Sequence, residues 1–330
     1  MTAAEIAPKV CCIPILPSPK VAGQTPPSPT HLQVGSAMAR NRLFCFGFGY
    51  SAEALASRLP ASEWTLVGTC RSEARRAALA ARGIEAWIFN GERGMGDPSR
   101  ALAGTTHLLA SVPPNEKGDP VLAHHRDEIA KLRGLAWIGY LSTTGVYGDR
   151  AGGWVDEASA LEPTGPRGRR RVEAEAGWLD LWRGFGLPVH VFRLAGIYGP
   201  GRSAFDALRE GRAQRIDTPG QVFSRIHVDD IAAVLEASIR RPRPGAIYNL
   251  CDDDPAPPAD VIAFAAGLMG VAPPPLVPFE EAKLSDMARS FYADNKRVRN
   301  DLVKSELGVT LAYPDYRSGL RAILKRESAR

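Results

Sequence analysis

The 330-residue sequence has no run approaching 18 apolar residues, which excludes a membrane-spanning helix. It has few cysteines. Cys11 and Cys12 are adjacent, Cys45, Cys70 and Cys251 lie far apart, and none of the five is spaced as a metal ligand. A reduced, cytoplasmic setting is the simplest expectation. Basic charge is in modest excess, net +5, and no aromatic-interleaved basic patch points to nucleic acid. No internal repeat is visible. With 45% hydrophobic and 23% charged residues, the composition is that of a globular chain long enough for one large or two smaller domains. Proline, by contrast, is crowded at the front. Pro8, Pro14, Pro17, Pro19, Pro26, Pro27 and Pro29 interrupt every helix there. Residues 1–38 are expected to form a disordered tail. They carry no signal-peptide core and are not an Arg-rich amphipathic leader. Met38, just before the first strand, could itself be the start.

The stretch that organises the rest is Leu43-Phe-Cys-Phe-Gly-Phe-Gly-Tyr-Ser-Ala52. Four apolar residues run into Gly47-x-Gly49-x-x-Ala52, and a helical run to Leu59 follows. Gly47 suits the turn, Gly49 lets backbone approach a phosphate, and Ala52 is small enough for helix to pack on strand. The helix then presents free N–H groups and a positive dipole end to an anion. The expectation is a dinucleotide site at Gly47, Phe48, Gly49, Tyr50 and Ser51.

From there strand and helix alternate. Strands are expected at 64–69, 85–89, 106–110, 136–142 and 189–194, with helices at 71–82, 120–132 and 173–182 between them. Such alternation means βαβ units and a Rossmann-type doubly wound parallel sheet, an α/β fold. Ligands bind beyond the carboxyl ends of such strands. That rule gathers Gly47–Ser51, Arg71, Asn90, Ser111 and Ser142–Thr144 into one cleft. Past Gly196 the order changes to a short helix at 203–211, a helix at 228–240, a strand at 246–250, and proline-rich breaks at 255–258 and 273–275. The expected layout is a nucleotide-binding domain over 39–195, with 221–251 returning to it. A small C-terminal substrate lobe is expected over 196–220 and 252–330.

The second strand ends Val67-Gly-Thr-Cys-Arg71-Ser72. An acid near that position would bind both ribose hydroxyls of NAD and repel a 2′-phosphate. Arg71 and Ser72 would instead hold that phosphate, Arg71 through a forked, charge-assisted contact. The expectation is NADP, with NAD as the second choice. The competing reading makes Arg71 the first charge of a surface helix.

Three further segments complete a pattern. They are Tyr140-Leu-Ser142-Thr143-Thr144-Gly-Val-Tyr147-Gly148-Asp149, then Arg193-Leu-Ala-Gly-Ile-Tyr198-Gly-Pro200-Gly201-Arg202, then Phe223-Ser-Arg225-Ile-His227-Val-Asp229-Asp230. With the glycine motif, and in this order, residues 41 to about 325 resemble the extended short-chain dehydrogenase/reductases, the NAD-dependent epimerase/dehydratase family, in their YeeZ-like subgroup. The resemblance implies that Thr143 hydrogen-bonds a reacting carbinol and that a Tyr-x-x-x-Lys pair follows. Here Arg167 stands at the Tyr position and Arg171 at the Lys position. Arg171 keeps a permanent cation for the nicotinamide ribose, whereas Arg167 cannot act as a general base. Thr144 and Gly145 occupy the positions of the Asp-Glu pair of sugar dehydratases, so that chemistry is not expected. Tyr147, Tyr198 and His227 read as structural. Arg202 and Arg225 are substrate-side candidates, solvated surface charge being their alternative, and Arg169 and Arg170 read as solvated.

The expected partner is a small-molecule substrate, a nucleotide-linked sugar or related polyol, with no nucleic acid, no membrane and no metal; a homodimer is left open. Two functions stand side by side: an oxidoreductase or epimerase working by nicotinamide hydride transfer, and a non-catalytic NADP(H)-binding sensor or scaffold.

Overall fold

The computed structural model describes residues 40–329, and the tail expected over 1–38 falls outside them. Seven strands form the main sheet: β1 Asn41–Phe46, β2 Trp64–Cys70, β3 Glu85–Ile88, β4 His107–Ala110, β5 Trp137–Thr143, β6 Val189–Leu194 and β7 Ile247–Leu250. All neighbours pair in parallel, in the order β7-β6-β5-β4-β1-β2-β3. Chain order reverses between β1 and β4, so a crevice opens beyond the carboxyl ends of those two strands. The doubly wound Rossmann-type sheet expected from the alternation is the fold.

Helices cover both faces, which is why β1, β4, β5 and β6 are near-continuous apolar runs rather than alternating ones. On one face, α1 (Tyr50–Ala56) and α7 (Val228–Arg240) pack Leu55, Ile231 and Leu235 against Leu43, Cys45 and Phe192. On the other, α4 (Pro120–Lys131) and α5 (Pro166–Phe185) set Val121, Ile129, Trp178 and Leu181 against Phe44, Phe46 and Tyr140. A further cluster joins Phe205 of α6 (Ala204–Arg209), Val261 and Ala265 of α8 (Pro258–Leu268), and Tyr316, Leu320 and Ile323 of α11 (Tyr316–Ser328).

Several features differ from the sequence expectation. Helix α5 begins at Pro166, seven residues before the expected start. The Pro-Arg-Gly-Arg-Arg-Arg run looks like a loop, yet Pro166 sits at the first helical position, where its missing N–H costs nothing. Three short parallel ladders also escape sequence reading: 154–155 with 297–298, 196–198 with 225–227, and 215–217 with 276–278. Two or three residues are too few to show a period. No helix of the described residues is long and apolar enough to cross a membrane.

Candidate active site

The turn after β1 is fixed from two sides. The Gly47 N–H donates to Thr69 Oγ1 and the Phe48 N–H to the Thr69 carbonyl, both at 2.8 Å, so the end of β2 holds the turn. Gly47 has φ +85°, and a Cβ there would lie 2.8 Å from Ser111 Oγ. Glycine is required at that position on both counts. A Cβ on Gly49, in contrast, would meet nothing within 4 Å. The residue borders open space, and no side chain caps α1, so the N–H groups of its first turn stay available. Those features fit a phosphate group lying against backbone.

The other expected cofactor residues divide. Arg71 is exposed at the end of β2, with no ion pair among the described residues. Ser72 caps α2 (Glu73–Ala80), accepting from the Arg75 N–H at 3.3 Å. Ser111 donates to the Gly47 carbonyl at 2.6 Å, stitching β4 to the turn. Asn90 closes a local turn with Glu92. Arg75, which sequence reading passed over, reaches the Phe48 carbonyl at 3.3 Å and pairs with Glu53 of α1. Tyr50 donates to the Pro200 carbonyl at 3.0 Å, and the Arg202 guanidinium lies 6.0 Å from its ring centre. The glycine turn therefore touches the segment that carries Arg202.

Thr143 ends β5 and opens a single 3₁₀ turn, accepting from the Gly145 N–H at 3.1 Å. Its own hydroxyl proton has no acceptor among the described residues. Ser142 is different: it is buried, and its hydroxyl donates to Glu175 of α5 at 2.5 Å. The expected contact from this side chain to a cofactor is corrected here, since strand alternation turns Ser142 toward α5. Arg171 donates to the Leu141 carbonyl at 2.7 Å, so its cation is anchored two residues from Thr143. Arg167, one turn earlier on α5, is exposed, its guanidinium 5.3 Å from the ring centre of Phe291 on the short helix Asp286–Phe291.

Beneath this edge runs a buried polar network that sequence reading missed. Arg193 of β6 donates to Glu175 at 2.8–3.2 Å and to Tyr147 Oη at 3.0 Å. Tyr147 donates in turn to Asn249 of β7 at 2.7 Å. Arg193 and Glu175 are each 2% exposed, so both are charges fully removed from water. Burial pushes the Tyr147 phenol up to about 12, and its proton is held by Asn249. Tyr147 is therefore a structural group, as is His227. The His227 Nδ1 accepts the Asp229 N–H at 3.1 Å and caps α7, and burial lowers its pKa to about 4.

No family model matches the chain. Relatives, however, match it nearly end to end. Protein YeeZ of Escherichia coli K12 is 28% identical over 291 residues, covering 82% of this chain and 95% of YeeZ. A conserved protein of unknown function from Silicibacter pomeroyi DSS superposes with a TM-score of 0.80 at 53% identity, covering 87% of this chain and 99% of that one. The dTDP-glucose 4,6-dehydratase of Bacillus anthracis, solved with NAD, superposes with a TM-score of 0.71 at 15% identity over 88% of this chain and 97% of its own, a likeness of fold. The chain is a relative of protein YeeZ and shares its fold with the nucleotide-sugar epimerases and dehydratases.

The first turns of α5 carry Arg167 and Arg171 at the two positions where the resemblance implies a phenol and an ammonium. The chain keeps the Ser142-Thr143 strand end and the glycine turn. Arg202 and Arg225 both line one cavity of ≈ 480 Å³ with Tyr198, Tyr292 and Tyr316. One Arg225 nitrogen donates to the carbonyls of Phe223 and Ala256 at 2.7 and 2.9 Å. Burial lowers its pKa, Asp252 opposing the shift. Tyr198 lies 94 residues before Tyr292, and Tyr316 another 24 beyond, which leaves no local pattern in the sequence.

Proposed function

We propose that the chain binds a nicotinamide dinucleotide along the glycine turn and acts on a nucleotide-linked sugar or related polyol by hydride transfer. The observation that carries this reading is the Gly47–Gly49 turn with an uncapped helix start. It faces the β1/β4 crevice, with Thr143 and Arg171 placed together at the end of β5. Backbone N–H groups at residues 50 and 51 would hold the pyrophosphate. Arg171, fixed on the Leu141 carbonyl, would hold the ribose of the nicotinamide half. Thr143 would orient the reacting oxygen through its free hydroxyl proton. The bound nicotinamide supplies or accepts the hydride. Arg202 and Arg225 would neutralise an anionic part of the substrate in their cavity.

NADP is the preferred form in this proposal, because Arg71 stands with an uncommitted guanidinium at the end of β2 and no acid takes that place. NAD is the second form, since the Bacillus anthracis dehydratase was solved with it. The unmodified chain is expected to bind NADPH more tightly than NADH. Arg71→Asp should shrink that ratio roughly tenfold or more, as a charge-assisted contact is worth about 1.5–3 kcal/mol. Titration of both nucleotides against both proteins measures this, and equal affinities in the unmodified chain would remove the NADP reading.

A second reading is a binding protein without turnover that reports NADP(H). Arg167 favours it: a permanent cation stacked on Phe291 stands where the family keeps its phenol.

A further inference from the structure

Asp252 follows β7 at the carboxyl edge of the sheet and is 1% exposed. The Asp254 and Arg225 N–H groups lie near its carboxyl, but neither oxygen accepts a hydrogen bond of full geometry among the described residues. A buried carboxylate without well-aligned donors is costly, and the group escapes that cost by holding a proton. Its surroundings place it behind the wall of the Arg202/Arg225 cavity. The Asp252 N–H donates to the Arg225 carbonyl at 2.6 Å, and the charge of Asp252 is felt most by Arg225 and by Tyr198, both of which line the cavity.

The charges around Asp252 are accounted for one by one. On its own loop, Asp253 accepts from Asn300 and Lys304, and Asp254 pairs with Arg317 of α11. Glu157, which faces Cys251, accepts the Asn249 N–H at 2.7 Å. Cys251, Tyr198, Tyr292 and Tyr316 are all pushed upward by burial and stay neutral at working pH. Arg225 is left as the cation facing Asp252, and no ion pair of Arg225 is formed among the described residues. The two groups share a site without forming a salt bridge.

We propose that Asp252 is a proton-linked gate on anion binding: neutral, it leaves the Arg225 cation free for a diphosphate in the cavity, and ionised, it cancels that cation. The inference rests on the proposed anion-binding role of this cavity. Burial raises Asp252 to about 8, with Arg225 opposing the shift, so the change falls within the accessible pH range. A bound dianion beside Arg225 raises Asp252 further, and binding therefore takes up a proton near and above pH 8.

The probe is cytidine diphosphate, whose phosphates are fully ionised above about pH 7.5. Calorimetry across pH 7.5–9.5, in buffers of different ionisation enthalpy, reads both affinity and proton uptake. The unmodified chain should lose affinity with a limiting slope of about tenfold per pH unit above the Asp252 transition, its proton uptake rising toward one over the same range. Asp252→Asn, of the same size, should bind with a flat pH profile and no uptake, and Arg225→Gln should lose binding in either background. A flat profile in the unmodified chain, or an Asp252→Asn variant that keeps the slope, overturns the gate while leaving the anion site standing. No Arg225-dependent binding at any pH overturns both. Proton uptake in the unmodified chain decides the matter even if the variant fails to fold.

Discussion

Turnover of a nucleotide sugar should rise by a measurable part of about 10²–10⁴-fold when Arg167 becomes Tyr and Arg171 becomes Lys together, the span that general acid–base catalysis typically supplies. The argument is one of proton supply. Arg167 cannot release a proton at working pH. Tyr147 is held in the buried network with its pKa pushed up to about 12, and Tyr50 gives its proton to Pro200. Thr143 is already placed, so a phenol at 167 and an ammonium at 171 would complete the family's arrangement on the first turns of α5. Arg171→Ala alone should weaken cofactor binding by removing the cation held on Leu141, whereas Arg167→Ala should leave it nearly unchanged. Steady-state rates over a panel of nucleotide sugars with NADPH supply the test. Efficient turnover by the unmodified chain, abolished in the Tyr/Lys variant, would make the arginines themselves functional.

Arg193→Ala should cost about 3–5 kcal/mol, because it strands Glu175 as a buried charge without its partner. At about 2–4 °C per kcal/mol, the thermal midpoint should fall by roughly 6–20 °C. The loss is more than one ion pair, since the same guanidinium orders Tyr147, and Tyr147 orders Asn249. The network ties α5 to β5, β6 and β7, so the loop that presents Thr143 should loosen with it. Glu175→Ala should cost a similar amount, leaving Arg193 unpaired and Ser142 without its acceptor. A double change of Glu175 and Arg193 to apolar residues of similar volume should recover part of the loss. Thermal unfolding of the three variants makes the comparison, and single-variant losses below about 1 kcal/mol would show that the pair is not holding the sheet edge.

The sequence made the sheet legible for a physical reason. A run such as Val189–Leu194, closed by a proline before it, reads as a strand, and the 3.6-residue apolar spacing of Val228–Arg240 reads as a helix, and both bounds match the structure. The glycine turn was legible because its chemistry is local. What was not legible is long-range. Arg193 was visible as a lone cation in an apolar strand, but its partner lies 18 residues away on α5. Ser142 carried a hydroxyl in the right place along the chain, yet its direction depends on a helix packed over the strand. Asp252 is the first of three successive acids in the sequence, and only burial separates it from Asp253 and Asp254.

The most direct test of the account is a titration with NADPH, followed by the nucleotide's fluorescence, of the unmodified chain beside Gly47→Val. Gly47 has φ +85°, and its missing Cβ would strike Ser111 and Val112. A valine there must open the turn and remove the phosphate-binding backbone. The account predicts saturable binding to the unmodified chain and its loss in Gly47→Val with the rest of the fold kept, as judged by circular dichroism. Equal NADPH binding by both proteins, or none by the unmodified chain, would contradict it.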